Sequence, residues 1–374
     1  FLTDKRSIFA WSQNMLQYMN KPLVSVLMPC YNAEKHVEQA LRSIINQTYG
    51  NLEIITINDC STDKTREILI SLSNIDKRIK VIDNETNLRL IATLNKGISL
   101  CNGEYIARMD ADDISLPERI EKEVLFLEKN KDIDIVSTLF YAFPSSNPNK
   151  RSLHHSPSKP EELQAYMLFK SGICHPASMI RKRVFTELGL KFENQYLHVE
   201  DYALWSKAIY KTKIANIAEP LLLYRVHENQ VSSLNEQLQA DNKKLVFKIH
   251  CDHLELPQDD EYLDVYASVA ECVPKIPSAE YLGKCEKFMV NLIDKNRKKP
   301  FCDSTFLQHM MSIHWLRLCA NSQLGFKVVK QLKKSTLYSR TNYSRQDMLI
   351  FYFKCLFKIK YKQSSIYKYI DMFS

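Results

Sequence analysis

The sequence predicts an α/β fold: a Rossmann-like, mostly parallel sheet flanked by helices, followed by a helical C-terminal region. Up to about residue 139, short continuous apolar runs alternate with stretches whose apolar residues recur at helical spacing. That is the pattern of strands buried on both faces and joined by crossover helices. Polar residues fall at the carboxyl ends of the apolar runs, where open α/β sheets bind ligands. From about Asn235 the pattern is helical to the end, broken near Pro257, Pro274, Pro277 and Pro300.

The elements follow in order. Leu23 to Met28 is the first buried strand, and after Pro29-Cys30-Tyr31-Asn32 comes a helix burying Val37, Ala40, Leu41, Ile44 and Ile45. Leu52 to Ile57 is the second strand and ends in Asn58-Asp59; Ser61 is placed to cap a helix carrying Ile68, Leu69 and Leu72. A third strand (Ile79 to Ile82) and helix (Ile91, Leu94, Ile98) precede the fourth strand, Tyr105 to Met109, which runs into Asp110-Ala111-Asp112-Asp113. Helix Pro117 to Lys129 and strand Ile133 to Leu139 complete the alternation. Pro144 to Pro160 reads as a loop or flap, rich in Ser, Asn, Pro and His. Beyond it lie a helical stretch from Pro160 to Phe169 and an acidic pair, Glu200-Asp201, opening another helix.

Composition excludes several function classes. The chain has 374 residues, enough for two domains. Its 7 glycines form neither G-x-G-x-x-G nor G-x-x-x-x-G-K, so a glycine-rich phosphate cradle is absent. The 10 cysteines include no C-x-x-C pair, which argues against structural zinc and a disulfide framework and for a reducing compartment. No apolar run approaches the roughly 20 residues of a spanning helix, and no basic-then-apolar leader opens the sequence. Because residue 1 is Phe, the native N-terminus is expected to lie upstream. The net charge of +8 is uneven: in the last fifty or so residues only Asp347 and Asp371 oppose the Lys and Arg.

Three carboxylates within four residues, Asp110, Asp112 and Asp113, repel one another unless a cation sits among them. Hard oxygen ligands suit Mg²⁺ or Mn²⁺, ions that commonly arrive with a substrate's phosphates. The calcium-loop alternative fails, because Ile114-Ser115 follows where that loop needs alternating ligands and a glycine. Tyr31-Asn32, Asp59 and the acidic cluster end three different strands on one sheet edge, a convergence that a solvated acidic loop does not produce.

Five ordered segments resemble the motifs of family 2 inverting glycosyltransferases, enzymes of the GT-A fold. They are Val24 to Asn32, Ser43 to Thr48, Asn58 to Asp63, Gly103 to Asp113 and His198 to Tyr202. The likeness runs from about Lys21 to about Leu234. The segment Tyr224-Arg-Val-His-Glu-Asn-Gln-Val-Ser-Ser233 is similar to bacterial lipooligosaccharide β-1,3-N-acetylglucosaminyltransferases. The resemblance implies that Pro29 and Tyr31 flank a uracil, beside Asn32, and that Asp59 accepts its N–H. Arg89 would meet uracil or phosphate. Asp110 would contact the ribose, next to Ala111, and Asp112 a Mn²⁺ or Mg²⁺ ion bridging the diphosphate, with His227 joining the metal. Asp113 would approach the metal or the donor sugar, and His175 would line the donor site. Asp201 matches the catalytic base, with Glu200 orienting the acceptor. Asn58 stands where the family usually has an aspartate.

The expected organisation is an N-terminal helical extension (1–20), a catalytic domain (21–234) and a helical, basic region (235–374). The expected partners are a UDP-sugar donor, a glycan or glycolipid acceptor and an anionic membrane surface met by the basic C-terminal region, with no nucleic acid. Residues 349–362 read as a basic interfacial helix, with an amphipathic packing helix as the alternative, and ending the chain near Ser335 is expected to weaken binding to anionic vesicles and preserve transfer to a soluble oligosaccharide. This places the enzyme in the cytoplasm, peripheral on the cytoplasmic face of the inner membrane. Transfer of galactose or N-acetylgalactosamine to a capsule or O-antigen intermediate is the alternative within the class. A non-catalytic nucleotide- or nucleic-acid-binding protein is the alternative outside it. Thiols beside motif residues (Cys30, Cys60 and Cys174) are expected to react.

Overall fold

The computed structural model describes residues 21–227 and 236–359. The expected N-terminal extension and the end of the basic tail, with Lys360, Lys362 and Lys368, lie outside the described residues.

Strands β1 (Val24–Cys30), β2 (Leu52–Asn58), β3 (Ile79–Asp83) and β4 (Tyr105–Arg108) alternate with helices α1 (Val37–Ile45), α2 (Thr65–Ile75) and α3 (Arg89–Leu100). There follow β5 (Ile114–Ser115), α4 (Arg119–Lys129), β6 (Ile133–Pro144), β7 (Ser152–His154), α5 (Pro160–Met167), β8 (Met179–Arg181), α6 (Arg183–Thr186), α7 (Glu200–Ala208) and β9 (Lys213–Val226). One nine-stranded sheet has the order β3-β2-β1-β4-β8-β6-β9-β5, with β7 beside β6. The first four strands are parallel, so their carboxyl ends share an edge. Beyond them the sheet is mixed: β8 runs antiparallel to both β4 and β6, while β9 is parallel to β6. The sequence alternation could not show this, because β8 is three residues long and follows a 3-10 turn instead of a crossover helix.

β1 and β2 are buried along almost their whole length, as their continuous apolar runs require. α1 buries Val37, Ala40, Leu41 and Ile44 at helical spacing. α3 approaches β1 closely through Gly97, where a Cβ would lie 2.3 Å from Leu27 Cδ1.

Two local expectations are corrected. Ser61 does not cap α2, which begins at Thr65. The Thr65 N–H donates to Asp63 Oδ1 at 2.9 Å, while Ser61 Oγ accepts from Asn32 N at 3.1 Å. The flap of residues 144–160 carries strand β7, paired antiparallel with β6. Its three residues are too few to register as a period, and His154 stacks on Phe140 with ring centroids 4.7 Å apart.

The chain divides into two compact units. One holds the described residues up to Pro160 and Gly172–Gln239; the other holds Glu161–Ser171 and the described residues from Ala240 onward. The second unit contains most of α8 (Glu236–Leu254), then α9 (Asp260–Glu271), α10 (Ala279–Lys298), α11 (Ser304–Asn321), α12 (Lys327–Lys334) and α13 (Arg345–Phe357). Its centre is α11, which buries Leu307, Met311, Trp315, Leu316, Leu318 and Cys319. The 161–171 segment joins this unit through the Tyr266 hydroxyl, which donates to Leu168 O at 2.8 Å, and through Phe169 edge-on to Tyr266 and His314.

The C-terminal helix is packed on one face. α13 opens with a capping box, Ser344 with Asp347, and buries Met348, Ile350, Phe351, Lys354 and Cys355. Lys354 Nζ donates to Asn321 Oδ1 at 3.2 Å. Residues 345–357 are therefore a packing helix, which leaves Leu349, Tyr352, Leu356 and Phe357 exposed. Among the described residues, no helix is long and apolar enough to cross a membrane.

Candidate functional site

Two loops at the shared strand edge are stitched to each other. Asn32 Oδ1 accepts from Thr62 N at 2.9 Å, Ala33 N donates to Thr65 Oγ1 at 2.7 Å, and Glu34 N donates to Asp63 Oδ2 at 3.0 Å. Pro29 sits inside β1, and Tyr31 follows it with its ring about half exposed. Asp59 is buried; its Oδ1 accepts from Asn84 Nδ2 at 2.7 Å and from Leu88 N at 2.8 Å. Asn58 donates through Nδ2 to Asp83 Oδ1 at 2.8 Å, and its Oδ1 accepts from Ser61 N at 3.2 Å. An aspartate at position 58 would face the Asp83 carboxylate, so the amide suits this chain.

Four of the eight non-glycine residues with positive φ among the described residues lie here. Asn32, Cys60, Arg89 and His198 all have φ between 47° and 65° without being glycine, a conformation that persists only where surrounding structure enforces it. Each sits in a turn carrying a residue expected at the site. Arg89 is exposed, and its charge reaches His198.

The acidic cluster follows β4. Asp110, Asp112 and Asp113 each present a carboxylate oxygen within 4.8 Å of the others. Asp110 pairs with the buried Arg108 guanidinium. Burial pushes the Asp110 carboxyl up against the pull of Arg108. Burial, then Asp110 and Asp112, push Asp113 well above the usual range. Asp113 is turned inward: Oδ1 accepts from Arg225 N at 2.8 Å, while Oδ2 is buried without a partner. His227 Nε2 lies 3.0 Å from Asp112 Oδ2, and the His36 ring stands 5.6 Å from that of His227. Ala111 is packed in the core between the acids.

Glu200 and Asp201 form the first turn of α7. Asp201 is near enough for its charge to act on Asp110, and Arg108 acts on Asp201 in turn. Burial raises the Asp201 carboxyl, opposed by the Tyr202 N–H and Arg108. Burial, then Asp201, push Glu200 up to about 7, and its Oε2 has no partner. His175 is buried edge-on to Trp205, and burial followed by Arg108 holds its pKa well below the ordinary value. Its Nε2 is buried without a partner, a polar edge left open.

These residues fit a divalent cation of the Mg²⁺ or Mn²⁺ kind: three clustered oxygen donors, an imidazole 3.0 Å from one of them and an orphaned buried carboxylate oxygen. Among the described residues no other group of three His, Cys, Asp or Glu is placed to hold a metal.

Comparison with known proteins identifies the family. The description "Glycosyl transferase family 2" matches residues 25–189. A glycosyltransferase of Haemophilus influenzae is 41% identical over 234 residues, covering 61% of this chain and 72% of its own. The chain belongs to glycosyltransferase family 2. A Methanocaldococcus jannaschii glycosyltransferase is 34% identical, covering 60% of this chain and 78% of its own. The Escherichia coli O-antigen biosynthesis glycosyltransferase WbnJ is 29% identical, covering 55% and 80%. In fold, the glycosyltransferase is similar to Staphylococcus aureus TarS 1-349, solved in complex with UDP-GlcNAc, at TM-score 0.54 and 16% identity over 82% of this chain and 91% of that one. The mixed sheet with its added helical region is the GT-A architecture.

Four residues of the candidate site carry no role in the sequence reading. Arg108 and Arg225 stood inside quoted motifs without a role, while His36 and Asn84 carried no signal. An arginine inside a short apolar strand, two residues before an aspartate, was the one available clue to Arg108.

Proposed function

We propose that this glycosyltransferase moves a sugar from a UDP-sugar to a hydroxyl of a glycan or glycolipid, in one displacement that inverts the sugar carbon. The observation that carries the reading is the meeting of the acidic cluster and Asp201 around Arg108 at one sheet edge. Tyr31 offers its exposed ring to the uracil face, and Asp59, oriented by Asn84, accepts the uracil N–H. Arg89 meets uracil or phosphate, and Asp110 the ribose. Asp112 and His227 hold the divalent ion, which when bound supplies Lewis-acid stabilisation of the leaving diphosphate. Asp201 takes the proton of the attacking hydroxyl, a poor nucleophile without a base. Glu200 orients the acceptor, and the neutral His175 lines the donor sugar's space. With a single base and no covalent intermediate, the stereochemistry inverts, by analogy with inverting glycosidases.

The donor we propose is UDP-GlcNAc, with β-1,3 transfer to a terminal galactose of a lipooligosaccharide. Galactose or N-acetylgalactosamine transfer to an O-antigen or capsule intermediate is the second reading, favoured by the likeness to WbnJ. A screen of UDP release across UDP-sugars, with lactose as acceptor, separates them. Asp112→Asn is expected to abolish Mn²⁺-dependent transfer, and more than about a tenth of the wild-type rate at saturating Mn²⁺ would remove it from the ligand set. Asp201→Asn is expected to lose transfer and keep donor affinity; a collapse of donor affinity with a normal rate rejects it as base.

An anionic membrane is the further partner we propose, on the cytoplasmic face of the inner membrane. Exposed Phe326, Leu349, Leu356 and Phe357, with exposed Lys327, Lys330, Lys333 and Lys334, support it. Replacing Leu356 and Phe357 by Ser should weaken co-sedimentation with anionic vesicles; unchanged binding would rule the surface out.

A further inference from the structure

Arg225 lies near the end of β9 and is almost completely buried. Its side chain and backbone reach three parts of the site at once. The guanidinium Nε donates to the Asp112 carbonyl at 2.7 Å, and the backbone N–H donates to Asp113 Oδ1 at 2.8 Å. Nη2 donates to Gln39 Oε1 on α1 at 2.7 Å, and the guanidinium carbon lies 4.8 Å over the Phe143 ring. Two residues later His227 meets Asp112 Oδ2. The loop bearing Asp112 and Asp113 is thus pinned through the Asp112 carbonyl and the Asp113 carboxylate, while the Asp112 carboxylate remains for His227 and an ion.

From this geometry we infer that Arg225, braced by Gln39, is a positioning residue that pre-sets the divalent-ion site. It touches no reacting atom. Its planar fork serves two acceptors in different directions, a carbonyl and an amide oxygen, which a lysine's single ammonium cannot reproduce with the same geometry. A positive charge beside Asp112 and Asp113 also offsets their mutual repulsion before any ion arrives. A site held ready binds its ion without first ordering the loop, so loss of the brace should appear as weaker ion binding. The inference rests on the metal assignment proposed above.

The test is direct titration of the full chain with Mn²⁺, following free Mn²⁺ by electron paramagnetic resonance, for wild type, Asp112→Asn, Arg225→Lys and Gln39→Ala. Melting in EDTA is measured in parallel. Arg225→Lys is expected to weaken Mn²⁺ binding about tenfold or more, a typical effect of losing a group that orients metal ligands. Gln39→Ala removes one acceptor on an exposed helix position, so its melting should match wild type while Mn²⁺ binding weakens to a lesser degree. At saturating Mn²⁺ the Gln39→Ala rate should return to the wild-type value. If Asp112→Asn loses Mn²⁺ while both other variants bind like wild type, the brace is wrong and the metal assignment stands. If Asp112→Asn itself binds like wild type, the metal assignment fails and takes this inference with it. Should Arg225→Lys unfold, Gln39→Ala decides alone: wild-type affinity overturns the brace.

Discussion

Gln47 is buried between the end of α1 and the loop after the acidic cluster, and its amide is fully used. Nε2 donates to Ser43 O, Ser115 Oγ and Leu116 O at 3.0, 3.1 and 2.8 Å, and Oε1 accepts from Ile120 N at the start of α4 at 3.0 Å. Gln47→Ala strands several buried groups, so it should cost about 1–3 kcal/mol in urea unfolding; a loss within error would reduce the contacts to decoration. Asn58→Asp sets a carboxylate against Asp83 and should destabilise by about 1 kcal/mol, read from the same titration. Glu200 carries a pH signature. Its carboxyl is raised from 4.5 to about 7, so the folded state holds the proton more tightly than the unfolded chain does. The associated stability is complete below about pH 4.5 and is lost as pH rises through about 7, by up to about 3 kcal/mol. Glu200→Gln should flatten the melting temperature over that window, and an unchanged slope would place the shift elsewhere. At this scale the acids were legible because they are contiguous in sequence. Arg225 and Asn84 were not, because their roles exist only once β9 and the turn after β3 reach their partners.

Among the elements, the alternating strands and helices to β4 could be read because burial on both faces leaves an unbroken apolar run. β8 could not, since three residues show no period and the antiparallel direction is set by its neighbours. β7 was hidden likewise inside polar sequence. α13 stayed open for a different reason: its aromatic and basic composition describes both a packed and an exposed face, and only the fold assigns each residue. Ending the chain at Ser335 removes Met348, Ile350, Phe351 and Cys355 from the packed face of α13. The truncated protein should therefore melt well below the full chain or aggregate, and an unchanged melting temperature would show that α13 contributes no packing. Gly97→Val is a sharper probe of the α3–β1 approach. The added atoms collide with Leu27 and Ile57 side chains, at a cost of about 1–3 kcal/mol.

At the scale of the molecule, the path of the chain constrains what can be removed. Residues 161–171 depart from the sheet-bearing unit and return to it, so the helical unit is not a simple C-terminal appendage. Cutting after Gln239 strands Leu163, Met167, Leu168 and Phe169, all buried in the full protein, and the shortened enzyme should precipitate on expression; a soluble, cooperatively melting fragment would refute this. The thiols follow from the same packing. Cys30 is buried and Cys174 partly so, and burial pushes both thiols far up, which argues against the expectation that they react. Cys60 differs: it is partly exposed, one residue from Asp59, with its sulfur 3.8 Å from Glu85 O. The protein thus carries a natural attachment point for a fluorescent label beside the proposed nucleotide site, among seven buried thiols and the partly exposed Cys174 and Cys302. A dye joined there would turn donor occupancy into an optical signal, and UDP titration would read it without any change to the sequence.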